Sequence, residues 1–374
     1  MKLTTAGESH GKALVGILEG VPSNLKIDIA EINGYLALRQ SGYGRGGRQK
    51  IERDEVEILS GVRNALTLGS PICFTVKNRD YENWRECMAP EGCDTTKRTL
   101  TKVRPGHADL TGVIKYEQTD ARNVLERASA RETAVRVVGG SIARQYLNAL
   151  GVQVSGYVKS VCGITDDNQY AFEEIEKAKN NSLFMLDGQK EREACALIDK
   201  LKEEGDTAGG TVEIRVKGLK SGFGSCMQYS TKLDAILCSA MMSVQAIKGV
   251  EVGLGFGCAS KRGSEVHDEI YYDTDYRRRT NNAGGIEGGM SNGEEIVLHA
   301  AMKPIPTLMK GLDTVDIVTK QQVTAAGERS DVCAICALEI ILESVVCTAL
   351  AEVVADRLGG DNMREVIERY AKLR

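Results

Sequence analysis

Apolar residues in this chain fall into two rhythms. Short alternating runs at 12–19 (KALVGILE), 56–59, 71–76, 152–158, 250–256 and 295–302 predict strands, and Gly210–Lys217 (GTVEIRVK) predicts a half-buried one. Longer runs repeat every three to four residues and predict helices. Asp28 starts one, with Glu31 three residues on and Gly42 beyond its end. Ser129 and Glu132 bracket the start of a second, whose stripe is Ala134, Val137, Val138, Ile142 and Leu147, with Gly151 past its end. A helix is predicted over 231–248 with Leu233, Ile236, Leu237, Met241, Val244 and Ile247 inward, and a last long one over 333–358. Two Glu/Lys-rich helices at 171–180 and 188–204 carry few large apolar residues and read as surface elements. The expected fold is α+β: a single unit over 1–374 with a surface helical insertion at about 165–205.

Four stretches lack either rhythm: 39–53, 78–128, 257–294 and 303–333. Long irregular segments in a compact protein are functional loops or disorder, and these hold most of the residues suited to chemistry. With 374 residues, 42% of them hydrophobic and 27% charged, the chain can bury a large core. Its net charge of -4 argues against a surface that binds nucleic acid throughout. The 333–358 run carries Glu339, Glu343, Glu352, Asp356 and Arg357 and so reads as a core helix, not a membrane span. Eleven cysteines with no apolar leader at the N-terminus are expected to be reduced thiols in a cytoplasm. Cys333 and Cys336 have no second pair at metal-ligand spacing, so no metal is expected.

GESHG at 7–11 matches the hydrolase elbow G-x-S-x-G, but that turn needs a helix after it, and a strand-like run follows here. His10 lies between a serine and a glycine rather than on an apolar face, which makes it a candidate functional group. Arg39, Arg45, Arg48, Lys50 and Arg53 stand among glycines, either as an anion-gripping loop or as a solvated one; Tyr43 alone could stack a base. RPGHADL at 104–110 sets His107 in a stiff turn beside Arg104 and Asp109, as a general acid or base or as plain loop. Arg127 and Arg131 flank Ser129 at a helix start, either an anion site or a capped helix with exposed arginines. NNAGGIEGGMSNGEE at 281–295 is a glycine-rich turn system, and Lys303, Arg329 and Asp331 lie in irregular chain. Together these describe a basic, glycine-rich site with two histidines, suited to a polyanionic small molecule that loses phosphate.

GESHG (7–11), the Arg39/Arg45 loop running on to ILSGV (58–62), RPGHAD (104–109), SARETA (129–134), MMSVQAIKGVE (241–251), NNAGGIEGG (281–289), KP (303–304) and RSD (329–331) follow one another in an order that resembles chorismate synthases, from about residue 5 to 358. The resemblance implies anti-1,4 elimination of phosphate and a C6 hydrogen from 5-enolpyruvylshikimate 3-phosphate, requiring reduced FMN without net redox change. It implies His10 as the acid near the leaving phosphate, Ser9 and Asp331 as a relay toward the flavin, and His107 as the group that protonates it. Arg39, Arg45, Arg48 and Arg131 would anchor substrate anions. Arg127, Ala128, Ser129, Gln245, Ala246, Gly288, Lys303, Pro304, Ile305, Pro306, Thr307 and Arg329 would contact FMN. The implied architecture is a β-α-β sandwich in a homotetramer, with no nucleic-acid or membrane partner. No separate nicotinamide domain is visible, so an external flavin reductase is expected rather than NADPH bound by this chain. The sequence departs from the family pattern at 121–128 (ARNVLERA), at Ser330 and Val332, and at Ile305.

Overall fold

The computed structural model describes residues 1–46, 53–325 and 330–373. The chain is a mixed α and β protein with two principal antiparallel sheets and several two-stranded ribbons. The first sheet runs Lys2–Ala6, Ala13–Glu19, Ile72–Lys77, Val56–Ile58 in spatial order. The second runs Ile247–Val252, Ile296–Met302, Gly210–Lys217, Gln153–Val161, Ile164–Thr165. Every pairing in both is antiparallel.

Two helices carry most of the core. Thr133–Asn148 packs on the first sheet, and Ile335–Leu358 packs on the second and against Thr133–Asn148. Adjacent glycines make that double packing possible. A Cβ on Gly139 would meet Leu3 of the first sheet at 2.8 Å, and one on Gly140 would meet Ser344 of the long helix at 2.4 Å. At Gly140 the atoms met include the Ser344 backbone, so the two helices approach closer there than a side chain permits, whereas at Gly139 the Leu3 side chain would have to shift. The sequence shows an apolar stripe at 134–147, whereas the helix is buried nearly all round, Arg144 included. Arg144 is neutralised by Glu343 of the long helix at 2.8 Å. Lys179 Nζ lies 2.6 Å from Glu343 and 2.8 Å from Glu339, the latter an ion pair without a well-aligned hydrogen bond. Of the five charged residues that mark this helix as unfit for a membrane, Glu339 and Glu343 are fully buried and paired. No helix among the described residues is long and apolar enough to cross a membrane.

Most predicted elements form within a residue or three of their expected bounds. Asp28 caps Ile29–Gln40 by accepting from the Ala30 and Glu31 amides. The helix expected over 231–248 stops at Met242, and Ile247 already belongs to a strand. Ala246 has φ +71°, a left-handed turn residue that breaks the helix without a glycine or proline to announce it. Ser129 caps a short 3-10 turn, Ala130–Glu132, that leads into Thr133–Asn148. The stretch 78–128 is partly ordered around a satellite core of Leu100, Val103, Val113, Ala121, Val124 and Leu125. That core supports two short helices, Asp109–Lys115 and Arg122–Ala128, which the sequence pattern did not predict.

Candidate active site

Between the first sheet, the satellite core and the start of the long helix lies a cavity of about 1480 Å³. Among the described residues, eight Arg or Lys side chains line it, against two carboxylates, Asp80 and Asp331. Such a field favours a multiply charged anion. Arg48 and Arg329, expected here, lie outside the described residues.

His10 arrives on the turn between the first two strands. Gly7 opens that turn at φ +109°, where a Cβ would strike the Ala13 carbonyl at 2.6 Å. Asn78 ties the loop down by donating to the Glu8 and Gly11 carbonyls. The Glu126 carboxylate receives His10 Nδ1 at 2.9 Å and the His10 backbone amide at 2.8 Å. On its face, the imidazole stacks on Trp84 at 3.7 Å. Glu126 is buried, which raises a carboxyl's pKa, but the contacts from His10 outweigh burial and hold it below its ordinary value. Ser9 accepts a hydrogen bond from the Ser129 hydroxyl at 3.2 Å. A strand follows the turn, so this is not a hydrolase elbow.

His107 sits on the opposite wall in the Pro-Gly turn. Its Nδ1 lies 2.5 Å from Asp109 Oδ1 and 3.1 Å from an Arg104 nitrogen. The Asp109 contact decides which ring atom holds the proton, because a guanidinium cannot accept one. Arg104 forks onto Asp109 and reaches Thr307 at 3.0 Å. Burial would raise the Asp109 carboxyl, yet the hydrogen bonds from His107 and Arg104 hold it far below the usual carboxylate range. Lys303 donates to the Gly106 carbonyl and braces the same turn.

The arginines divide into two kinds. Arg39 and Arg131 are buried on a common carboxylate, Asp54, at 3.4 and 2.5 Å, and Arg39 also binds Thr133 and the Ala130 carbonyl. Burial pushes the Arg39 guanidinium down to about 10, against the pull of Asp54, so it stays charged at neutral pH. Arg45 pairs with Asp331 at 3.0 Å, and its Nε is buried without a partner among the described residues. Asp331 also accepts from the Gly46 amide.

Ala128, Ser129, Gln245, Ala246, Lys303, Ile305, Pro306 and Thr307 share this cavity wall. Gln245 donates to Glu132 while its carbonyl oxygen is buried and has no partner among the described residues. Arg127, Pro304 and Gly288 do not line the cavity: Arg127 is an exposed strut to the Thr5 and Gly7 carbonyls, and Gly288 lies in the turn between Ile286–Glu287 and Met290–Ser291. Sequence reasoning passed over Glu126, Trp84, Arg98 and Arg122. The one available signal was that Trp84 is the chain's single tryptophan. Among the described residues no cluster of His, Cys, Asp or Glu could hold a metal ion.

Two carboxylate-backed histidines facing one cationic cavity define an enzyme site for a small polyanion. The comparisons with known proteins sharpen this. The chorismate synthase family model matches residues 1–355. A chorismate synthase from Alkaliphilus metalliredigens (strain QYMF) is 53% identical over 368 residues, covering 98% of this chain and 97% of its own length. One from Geobacter sulfurreducens is 50% identical over 384 residues, covering 99% and 97%. A crystal structure of a chorismate synthase superposes with a TM-score of 0.80 at 38% identity, covering 99% of this chain and 96% of that one. The chain belongs to the chorismate synthase family. Its reaction is the family's: a carbon-oxygen lyase step that releases phosphate from 5-enolpyruvylshikimate 3-phosphate and yields chorismate for aromatic amino-acid biosynthesis. Membership also implies a reduced flavin cofactor.

Proposed function

We propose that the elimination runs in the 1480 Å³ cavity, with His10 and His107 as its two proton-handling groups and FMN as the flavin. The observation that carries this reading is that both histidines reach one strongly cationic cavity, each with Nδ1 engaged by a buried carboxylate. Such a contact leaves Nε2 to act on a ligand. His10 gives a proton to the departing phosphate oxygen, while His107 holds a proton near the flavin's anionic edge. Arg45, whose Nε has no partner among the described residues, binds substrate anion, and Arg39 and Arg131 build the charged floor behind it. Asp331 and the Ser9–Ser129 hydroxyl pair carry the proton that leaves C6.

The wall of Ala128, Ser129, Gln245, Ala246, Lys303, Ile305, Pro306 and Thr307 suits a flavin. Its buried, unpartnered Gln245 oxygen needs a donor, which a flavin ring N–H provides. When bound, the reduced flavin lends electron density that helps expel phosphate and recovers it as the C6 hydrogen leaves. The same reading includes one α+β unit over 1–374 layered as a β-α-β sandwich, with 165–205 as its helical insertion. It further includes homotetrameric assembly, a cytoplasmic setting and an external flavin reductase.

Anaerobic incubation with 5-enolpyruvylshikimate 3-phosphate and dithionite-reduced FMN tests the proposal. Phosphate and chorismate should appear in equal amounts and vanish when FMN stays oxidised. His10→Ala and His107→Ala should each lower turnover by about 10²–10⁴. Unchanged turnover in both would remove the assigned roles.

A further inference from the structure

The segment 121–128 places a glutamate directly against His10. Residues 122–128 form a short helix whose Glu126 is only 2% exposed. Its main-chain carbonyl accepts from the Ser9 amide at 2.9 Å, its Oε2 from the His10 amide at 2.8 Å, and its Oε1 meets His10 Nδ1 at 2.9 Å. Backbone and side chain of one residue thus grip the turn that carries the histidine. The ring's face is fixed by Trp84, whose indole N–H donates to Asp80 at 2.9 Å. Arg98 lies over the indole at 3.8 Å, and Arg122 reaches Glu126 at 3.5 Å. The charged groups around His10 are therefore Glu126, Arg122, Arg98 and Asp80.

We propose that Glu126 is a positioning residue for His10, fixing the proton on Nδ1 so that Nε2 is the nitrogen presented to the leaving group. The inference rests on His10 being the acid of the proposed reaction. The chemistry follows from the donor inventory. A carboxylate has two acceptors, one for the amide and one for Nδ1–H. A glutamine has one acceptor and one donor. With its oxygen on the His10 amide, its NH₂ takes the place of the nearer Nδ1 acceptor, leaving only the amide-bound oxygen at 3.1 Å for the Nδ1 proton. The ring proton is then driven toward Nε2, and a doubly protonated ring, the form that can give a proton from Nε2, sets N–H against N–H. Glu126 does not line the cavity itself, so its loss acts through the residues it holds, His10 at 2.9 Å and, at the longer 3.5 Å, Arg122.

The test compares wild type with Glu126→Gln and Glu126→Asp. Protein labelled with ¹⁵N at its four histidines reports which ring nitrogen is protonated, and His10→Asn assigns the signal. In wild type and Glu126→Asp, His10 Nδ1 should carry the proton; in Glu126→Gln it should not. With reduced FMN, Glu126→Gln should lower kcat by about 100-fold with KM within about twofold, and Glu126→Asp should recover most of it. A merely structural role would shift thermal stability without moving the ring proton. The proposal falls if Glu126→Gln keeps Nδ1 protonated, if its KM rises as much as kcat falls, or if wild-type His10 lacks the Nδ1 proton. That last measurement decides the matter even if Glu126→Gln does not fold. The labelling needs neither substrate nor flavin, so an inactive wild type would defeat the assigned reaction while leaving the positioning claim to be judged on its own.

Discussion

Replacing Lys179 with methionine removes one cation from a buried cluster of two cations and two carboxylates. Its Nζ contacts Glu343, Glu339, the Gly156 carbonyl at 2.7 Å and Ser155 at 3.2 Å. Each ion pair at such a distance is worth about 6 kcal/mol at an effective dielectric of about 20, and desolvating each ion costs several kcal/mol. Methionine takes away the attraction and leaves Glu339 with no other cation at contact distance among the described residues, since Arg144 pairs with Glu343. The expected loss is about 3–5 kcal/mol, a large fraction of the roughly 5–15 kcal/mol that holds a domain together. Urea denaturation followed by circular dichroism measures it. The loss has a signature in pH. Burial, with the Glu343 charge next to it, already holds the Glu339 carboxyl above its ordinary value, and removing Lys179 raises it further. Between the ordinary and the raised value, the folded state binds a proton that the unfolded state has released, so stability falls as pH rises through that window. Wild-type Glu339 titrates at about 8, so the two proteins part company only above that value, and the Lys179→Met deficit should be larger at pH 9.5 than at pH 7, with Glu339→Gln in the same protein recovering part of it. A variant within about 1 kcal/mol of wild type at both pH values would refute the reasoning.

Other consequences can be measured directly. Asp109→Asn should lower turnover and cost about 1–3 kcal/mol, because it loosens both His107 and Arg104; wild-type stability from this group should be present above the ordinary carboxylate range and fall as pH drops through Asp109's depressed value, a slope the variant lacks. Arg45→Ala should raise KM for substrate more than it lowers kcat, as steady-state kinetics will show. Gly140→Ala should cost about 1–3 kcal/mol in thermal or urea unfolding, since its methyl would meet Ser344 atoms at 2.4 Å.

The two histidines and Asp331 were legible because each sits in an irregular, glycine-bearing segment that no core requirement explains. Their partners were not. Glu126 lies 116 residues from His10, and nothing in the run ARNVLERA marks it as that histidine's partner. Trp84 lies in chain with no period at all. Arg39 and Arg131 carried the signature of anion anchors, yet Asp54, a residue with no motif, holds both. Strands and long helices were readable from their rhythm. The helix over 231–248 was overextended because Val244 and Ile247 keep a helical spacing across a left-handed Ala246 that composition does not mark. Pairings that depend on tertiary approach leave no trace in local sequence.

The grip on His10 also joins two separate parts of the fold. The histidine belongs to the first sheet, whereas Glu126 rides on the satellite core of Leu100, Val103, Val113, Ala121, Val124 and Leu125. Arg127, next along, fastens that same helix to the Thr5 and Gly7 carbonyls. The turn that carries His10 is therefore a seam between two cores, held from the satellite side by the Glu126 carboxylate and by the Arg127 guanidinium. A substitution that loosens the satellite core would cost the histidine its carboxylate even with the first sheet intact.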